Sequence, residues 1–337
     1  MFSFRTTTLF DQLDNSLQRG RIAVMRSPSA WYPVVESYLW ELVAEKWNLT
    51  DVLEPEQLDL SILKELNLNA LIIEHQNTGD RFDPFLVILK NLFVQLTEAD
   101  STLSVYILDH YNPSGRQVEG VHRDDLPHKH GLTLGEIANL YYTELNSKFP
   151  LHIISANATM AGRDLMPSSI PPYDDFASLF SSFFHAGLYM LNGTNVSHGE
   201  GTTRPYEFFG APFMEKIAGN EAVYNKGAYM RKTSFIPSSG LYKDQKCFGY
   251  QLIVNPSEQY NSYLHSVRLI RWMKDSYSEF SFNDRIEELV GDDAVMNYFN
   301  GTMGWDIVYD YIKTEEQKWI RKGKKYLLYD EPLMRVK

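Results

Sequence analysis

Polar and charged side chains are concentrated in residues 187–212, where they follow a short apolar run at 189–191. The run is apolar enough for a buried strand, and Gly193, Gly199 and Gly201 permit sharp backbone bends beyond it. The donors and acceptors that follow are Asn195, Ser197, His198, Glu200, Thr202, Thr203, Arg204 and Glu207. We therefore predict a strand that opens into a site-forming loop.

Three residues of this loop are the candidates for substrate contact, namely Asn195, Arg204 and Glu207. An amide, a guanidinium and a carboxylate can each hydrogen-bond a polar substrate, and Glu207 is also a carboxylate that could take part in acid–base chemistry. A simpler interpretation is an ion pair between Arg204 and Glu207 that holds the loop together. The sequence leaves both interpretations open.

The elements that position such residues follow from the hydrophobic pattern of the first half, where apolar runs alternate with amphipathic stretches. The predicted strands are 22–25, 70–73, 105–108 and 151–154, and the predicted helices are 35–47, 85–96 and 134–147, the last with Thr133 as N-cap. Such alternation indicates a Rossmann-like, mostly parallel sheet covered on both faces. No glycine-rich dinucleotide fingerprint follows the first strand, and no cofactor is expected.

The second half of the chain has a different character. Three prolines within residues 166–173 indicate a crossover between two subdomains. The predicted elements beyond it include strands at 189–191 and 250–254 and helices at 260–276 and 305–321. The predicted fold class is therefore α/β, with a Rossmann-like subdomain (1–165), a smaller α+β subdomain (166–337) and an active-site cleft between them.

Polar residues also follow the predicted strands of the first half, at the sheet edge where open parallel sheets bind ligands. After strand 70–73, Gln76 and Arg81 could hydrogen-bond a polar or anionic ligand, since arginine binds carboxylates through two parallel hydrogen bonds. For Arg81, an ion pair with a nearby acid such as Asp83 is nearly as good an interpretation. A short strand-compatible run at 51–53 leads to the same edge.

Three further residues are candidates for substrate contact. Asp109 and Asn112 follow strand 105–108 and could orient a substrate, although a structural turn capped by Asn112 and Pro113 is an equal contender. His130 precedes the capped helix, where an imidazole can line a crevice. A structural histidine remains the commoner case for any single histidine.

Composition narrows the functional classes. The net charge of −11 argues against a nucleic-acid partner, whose phosphates would be repelled. No apolar run is long enough to span a membrane, and the first residues show no signal-peptide pattern. The lone Cys247 excludes an intramolecular disulfide. His122, His128 and His130 lie near Asp124 and Asp125, but without the spacing of a zinc site, so no metal is expected.

The loop at 193–212, G-T-N-V-S-x-G-x-G-T-T-R-P-Y-E-x-x-G-A-P, resembles the signature of the NamZ-type exo-β-N-acetylmuramidases, a family of peptidoglycan glycosidases. Further blocks resemble the family in the same order, at 108–113, 118–120, 130–136 and 325–329. The resemblance therefore extends over essentially the whole chain. Family members are commonly exported, so the resemblance implies either a cytoplasmic protein or the trimmed form of an exported one.

The resemblance implies a catalytic acid at Glu56. In the family this acid is the Glu of a Pro-Glu-His-Gly motif after an early strand, and Pro55-Glu56-Gln57 stands at the matching place. Gln57 replaces the family His, the Gly is missing, and the long insertion that normally follows is absent. A solvated carboxylate with no catalytic role is an equally good interpretation of Glu56. At 168–170 the chain has Ser-Ser-Ile where the family has Ser-Pro-Asn.

Two functions follow from these observations. The first is hydrolysis of terminal β-linked N-acetylmuramic acid from peptidoglycan fragments, as in cell-wall recycling, with Glu56 protonating the departing oxygen. The second is a catalytically silent protein that binds a muropeptide or another acidic sugar through Arg81, Asn195 and Arg204. A third interpretation, a scaffold without a small-molecule site, requires Glu56 to lie far from Asn195 and Arg204.

Overall fold

The computed structural model describes most of the 337-residue chain. The described residues are 10–13, 17, 20–33, 35–123, 125–154, 173, 176, 181–216, 223, 225–255 and 257–336. Their strands are β1 (Ile22–Met25), β2 (Trp31–Tyr32), β3 (Ser37–Tyr38), β4 (Leu49–Leu53), β5 (Ala70–Glu74), β6 (Ser104–Leu108), β7 (Gln117–Arg123), β8 (Leu126–Lys129), β9 (Leu151–Ile154), β10 (Phe208–Ala211), β11 (Ala228–Phe235), β12 (Cys247–Val254) and β13 (Met334–Arg335). Their α-helices are α1 (Leu39–Lys46), α2 (Leu60–Glu65), α3 (Pro84–Glu98), α4 (Leu134–Glu144), α5 (Ser181–Leu188), α6 (Ser262–Ser276), α7 (Ile286–Val290), α8 (Asp293–Phe299) and α9 (Trp305–Gly323).

A five-stranded parallel sheet forms the centre of the first half, in the order β4-β1-β5-β6-β9. The chain moves from β1 outward to β4, then returns past β1 to β5 and continues in the opposite direction. This reversal places a topological switch point between β1 and β5, and in doubly wound sheets ligands bind outside the carboxyl ends of the strands at that point. The prediction of a Rossmann-like, mostly parallel sheet is confirmed.

Both faces of this sheet are covered, because successive side chains of each strand point to opposite sides. Ala23 and Met25 of β1 belong to a buried cluster with Leu89 of α3. Val24 lies between them in sequence and belongs to a second cluster with Val43 of α1. The four-residue β1 is buried throughout, as expected for a strand covered on both faces.

The helix boundaries follow local capping signals. The Thr133 side chain accepts a hydrogen bond from the Glu136 backbone, and the Glu136 carboxylate accepts one from the Thr133 backbone, which forms a capping box at the start of α4. The predicted helix at 35–47 is shorter in the structure, because β2 and β3 pair as a hairpin with Glu36 in the left-handed region (φ 52). Helix α1 therefore begins at Leu39.

The second half is built around an antiparallel sheet in the order β10-β12-β11, packed against α6. The predicted strand at 189–191 is wrong, because Tyr189–Gly193 form a 3₁₀-helix that continues α5. Met190 and Leu191 are buried all the same. A short apolar run is compatible with either a strand or a buried helical turn, so periodicity could not decide between them.

The two halves are joined by more than their connection along the chain. β13 pairs with β7, and Trp319 and Tyr326 from the C-terminal end pack in the core of the first half. The fold is thus an α/β fold with two parts, while the boundary between residues 165 and 166 stays a prediction. The three prolines of the predicted crossover lie outside the described residues. Across the described chain, no helix is long and apolar enough to cross a membrane.

Candidate functional site

The switch point between β1 and β5 is lined by a buried carboxylate with two donors. Glu74 ends β5 and is 1% exposed. Its Oε1 lies 2.7 Å from His110 Nε2, and its Oε2 accepts a hydrogen bond from the Tyr32 hydroxyl at 2.7 Å. Burial alone would lower the pKa of His110, but the hydrogen bond and charge of Glu74 outweigh burial and raise it. Burial, reinforced by Glu74, raises the pKa of Tyr32 well above its usual value.

Gln76 connects the loops that follow three strands. Its backbone N–H donates to Ser29 Oγ at 3.0 Å, and Ser29 Oγ lies 2.8 Å from Ser27 Oγ, both serines coming from the loop after β1. The Gln76 side chain is fully buried and its Nε2 donates to the Tyr111 carbonyl at 2.9 Å, beyond β6. Gln76 therefore holds the carboxyl edge of the sheet together.

Two further carboxylate–imidazole pairs follow Glu74 in the same loop. His75 Nε2 lies 3.3 Å from Asp83 Oδ2, and His185 Nδ1 of α5 lies 2.5 Å from Asp80 Oδ2. Asp83 also caps α3 through the Phe85 N–H. Burial would raise the pKa of Asp83, but the charge and hydrogen bond of His75, with other donors, hold it below its usual value. The loop is thus fixed to both halves of the molecule.

Arg81 lies at the end of α7. Its Nη2 donates to the Leu289 carbonyl at 2.7 Å and lies 3.2 Å from His128 Nε2. A guanidinium at a helix C-terminus satisfies carbonyls that have no partner within the helix and interacts favourably with the helix dipole. The acid suggested as its partner, Asp83, is engaged with His75, Thr78 and α3. In the structure Arg81 therefore connects the two halves.

Asp109 is completely buried at the start of α4. Its carboxylate accepts hydrogen bonds from Thr133 Oγ1 (2.6 Å), the Gly135 N–H (2.8 Å) and the Tyr329 hydroxyl (2.7 Å). Burial raises the pKa of Asp109 to about 6, although all three hydrogen bonds oppose the shift. The contacts describe a group that positions α4 and the C-terminal segment.

Replacing Asp109 by asparagine is expected to reduce the pH dependence of stability. The pKa of about 6 in the folded protein exceeds the ordinary value of 3.8, so the folded state binds more protons between these values and loses stability as the pH rises through them. An asparagine side chain cannot ionise, so the Asp109→Asn variant lacks this contribution. Urea unfolding measures the free energy of unfolding of both proteins at about pH 4 and about pH 6. The decrease between these two pH values should be smaller in Asp109→Asn than in the unsubstituted protein. An equal decrease in both proteins would contradict the raised pKa of Asp109.

Asn112 and His130 are engaged with backbone atoms. Asn112 Oδ1 accepts from the Ser114 N–H at 2.7 Å and its Nδ2 donates to the Leu132 carbonyl at 3.0 Å, the contacts of the predicted structural turn. His130 Nδ1 accepts from the Leu132 N–H at 3.0 Å. Burial lowers the pKa of His130 to about 4, so the ring is neutral near pH 7.

The loop at 193–212 is fastened mainly by its own polar residues. The Asn195 side chain donates to the Glu279 carbonyl (2.7 Å) and accepts from the Ser281 N–H (2.9 Å). Arg204 and Glu207 form the predicted ion pair, with 2.9 Å between Nη1 and Oε2. The Glu207 side chain is 7% exposed and that of Arg204 is 53% exposed, so the guanidinium faces solvent while the carboxylate does not.

Two cavities border the predicted site residues. One, of about 520 Å³, is lined by Arg81 and by Phe82 and Tyr189, whose rings stack 4.4 Å apart. The other, of about 650 Å³, lies between residues 200–208 of the loop and the end of β11. Both are large enough for a sugar ring, and each involves a segment singled out from the sequence.

Glu56 lies exposed in the single 3₁₀ turn Pro55–Gln57 after β4, at the carboxyl edge of the sheet. The neighbouring Glu54 pairs with Arg26 from the end of β1 at 2.7 Å. Among the described residues, no hydrogen bond or ion pair joins Glu56 to the loop at 193–212. Helix α2 begins at Leu60, so the segment between Glu56 and α2 is too short to cover the Glu56 carboxyl. Residues 168–170, where a family contact is altered, lie outside the described residues.

Glu74 and His110 form a pair that was not among the site residues predicted from the sequence. Glu74 directly follows the predicted strand 70–73, and His110 is separated from the predicted strand 105–108 only by Asp109. These positions were the available signal, but the sequence does not show which residue of a distant segment will be the partner of a carboxylate. Within the described ranges, no group of three or more His, Cys, Asp or Glu side chains is arranged to hold a metal ion.

Comparisons with known proteins agree with this architecture. Residues 53–163 match the family model described as "Exo-beta-N-acetylmuramidase NamZ, N-terminal", and residues 183–329 match its C-terminal counterpart. The "Peptidoglycan beta-N-acetylmuramidase NamZ" of Bacillus subtilis (strain 168) is 26% identical over 284 residues, which cover 78% of this chain and 68% of that protein.

Two crystal structures share the fold, both of DUF1343 family proteins from Bacteroides fragilis NCTC 9343. The first has a TM-score of 0.75 at 22% identity and covers 96% of this chain and 98% of its own. The second has a TM-score of 0.74 at 20% identity, and the match covers 94% of this chain and 95% of the second structure's chain. Together with the two matching family models, they lead to one conclusion. The chain belongs to the NamZ family.

Proposed function

We propose that this protein is a peptidoglycan glycosidase that removes terminal β-linked N-acetylmuramic acid from cell-wall fragments. Membership of the NamZ family supports glycosidase-like chemistry on peptidoglycan, and the B. subtilis relative carries that activity in its name. The observation that carries the proposal is the family match across both halves of a chain whose sheet has its switch point at β1 and β5.

In this proposal Glu56 is the general acid. It lies at the carboxyl end of β4, next to β1, and its exposed carboxyl can reach a bound saccharide without displacing another partner. Hydrolysis breaks the bond between the anomeric carbon and the departing oxygen and forms a bond from that carbon to a water oxygen. Glu56 gives its proton to the departing oxygen, the attacking water loses one proton to the solvent, and the Glu56 carboxylate takes up a proton from the solvent before the next turnover. The protein must also position the sugar, which we assign to the polar groups after β1, β5 and β6.

Three other carboxylates that could be considered as a second catalytic acid or base already have partners. Glu74 is buried and bonded to His110 and Tyr32, and Glu207 is buried and paired with Arg204. Glu54, two residues before Glu56, is exposed but paired with Arg26. The proposal therefore places the proton-donating role on Glu56 alone.

A catalytically silent acidic-sugar-binding protein is the second candidate function. It is favoured by one observation, the absence of any covering segment between Glu56 and α2, which leaves the carboxyl open to water. Water exclusion normally strengthens the electrostatic interactions on which catalysis depends. A protein of this kind would bind N-acetylmuramic acid and release nothing from its glycosides.

A direct assay separates the two candidates. We would incubate the protein with the chromogenic β-glycoside of N-acetylmuramic acid and, as a matched control, with that of N-acetylglucosamine. The proposed activity requires release from the first substrate. No release from the muramic acid glycoside during long incubation, together with calorimetric binding of N-acetylmuramic acid, would establish the binding protein instead.

A further inference from the structure

His110 lies just beyond β6, at the carboxyl edge of the parallel sheet, with one ring nitrogen bonded to Glu74 and the other available. Its Nε2 lies 2.7 Å from Glu74, which is itself held by Tyr32. The His110 side chain is 18% exposed, whereas that of Glu74 is 2% exposed. Among the described residues, His110 Nδ1 has no hydrogen-bond partner. The contact with Glu74 therefore fixes the orientation of the imidazole ring, and Nδ1 remains available to bind a ligand.

The bond to Glu74 determines what that nitrogen offers. A carboxylate accepts, so Nε2 carries a proton, and Nδ1 is an acceptor in the neutral ring and a donor in the charged ring. The charged groups that act on His110 are Glu74 from β5 and Asp109 from the end of β6, and both favour the charged ring, while burial opposes it. The net effect is a raised pKa, and Tyr32 contributes a neutral donor to Glu74.

A charged donor at this edge fits an anionic sugar substituent. Arg81 and Gln76, the residues expected from the sequence to bind a carboxylate, are engaged with the Leu289 and Tyr111 carbonyls. N-acetylmuramic acid differs from N-acetylglucosamine by a lactyl group that carries a carboxylate. Hydrogen bonds between charged partners are shorter and stronger than neutral ones, so one such contact can discriminate between the two sugars.

We propose that protonated His110, oriented by Glu74, binds the lactyl carboxylate of N-acetylmuramic acid through Nδ1 and so sets the preference for this acidic sugar. The inference rests on the proposed function, from which it takes the substrate class. It assigns His110 a role in specificity and Glu74 a role in positioning.

Binding of the free sugars tests the inference without relying on catalysis. Calorimetry of the whole protein should show N-acetylmuramic acid binding about tenfold more tightly at about pH 5.5 than at about pH 8.5, because the ligand carboxylate stays ionised while His110 loses its proton. The His110→Gln variant should bind weakly at both values. N-acetylglucosamine should show no such pH dependence in either protein.

Two controls separate a specific role from a general effect. His122 of β7 is a partly exposed histidine beside Glu315, and His122→Gln should leave the pH dependence unchanged. Glu74→Gln should move the loss of binding to lower pH, because His110 loses the carboxylate that favours its charged form. If His110→Gln does not fold, an NMR titration of the histidines in the unsubstituted protein tests the inference instead. N-acetylmuramic acid should raise the apparent pKa of one histidine, and N-acetylglucosamine should not.

The outcomes distinguish this inference from the proposed function. Tight binding of N-acetylmuramic acid with the same pH dependence in His110→Gln would overturn the inference and leave the glycosidase proposal standing. A His110-dependent preference without any hydrolysis would overturn the glycosidase proposal and support the inference. If neither sugar binds at either pH, both are wrong.

Discussion

The Glu56→Gln variant is expected to hydrolyse muramic acid glycosides about 10²- to 10⁴-fold more slowly than the unsubstituted protein, with little change in stability. Glutamine keeps the size of the side chain but cannot donate a proton to the departing oxygen. Glu56 is exposed and makes no hydrogen bond among the described residues, so its replacement leaves no partner unsatisfied. The rate of sugar release under saturating substrate measures the effect.

The leaving group provides the decisive comparison. In a natural disaccharide the departing sugar is a poor leaving group and needs the proton, whereas a nitrophenolate leaves readily without it. The loss in Glu56→Gln should therefore be larger for the disaccharide. The matched control is Glu98→Gln, which replaces an exposed carboxylate at the C-terminal end of α3 and should keep full activity. Equal rates for Glu56→Gln and the unsubstituted protein would remove Glu56 from the mechanism.

The second large effect is expected from Lys129→Met, which should lower the free energy of unfolding by about 3–5 kcal/mol. Lys129 and Glu119 form a fully buried ion pair, 2.7 Å apart, between β8 and β7. Glu119 also accepts hydrogen bonds from the Ser262 hydroxyl and the Tyr263 N–H at the start of α6. Removing the lysine leaves a buried negative charge without its counter-ion. Urea unfolding followed by circular dichroism measures the loss.

Two related variants test the cause. Lys318→Met breaks a pair with Glu315 in which the lysine side chain is 58% exposed, and it should cost less than about 1 kcal/mol. The double variant Glu119→Gln/Lys129→Met removes the uncompensated charge and should be more stable than Lys129→Met alone. If Lys129→Met and Lys318→Met cost the same, burial of the charge is not the source of the effect.

The parallel sheet was predictable because its signals are local. Residues 22–25 and 151–154 were predicted as strands at the bounds that they have in the structure, and Thr133 was predicted as the cap of α4. A buried strand needs a run of apolar residues, and a cap needs one side chain beside the first helical turn. Both kinds of signal lie within a few neighbouring residues.

The roles of the polar residues could not be predicted in the same way. Asn195, Arg81 and Gln76 have side chains suited to a substrate, but the structure bonds them to carbonyls at Glu279, Leu289 and Tyr111. These partners lie 84, 208 and 35 positions away in the chain. A polar side chain uses whichever partner the fold brings within hydrogen-bond distance, and its own residue type does not specify that partner.

The sequence by itself determined the α/β class, the principal strands and helices of the central sheet, and the resemblance to a peptidoglycan glycosidase family, because each depends on local pattern or on ordered motifs. Only the tertiary structure decided that residues 189–193 are helical, that Glu74 binds His110 and Tyr32, and that the loop acids and amides are already engaged. Those outcomes depend on contacts between segments that are distant in the chain, and packing and burial determine such contacts.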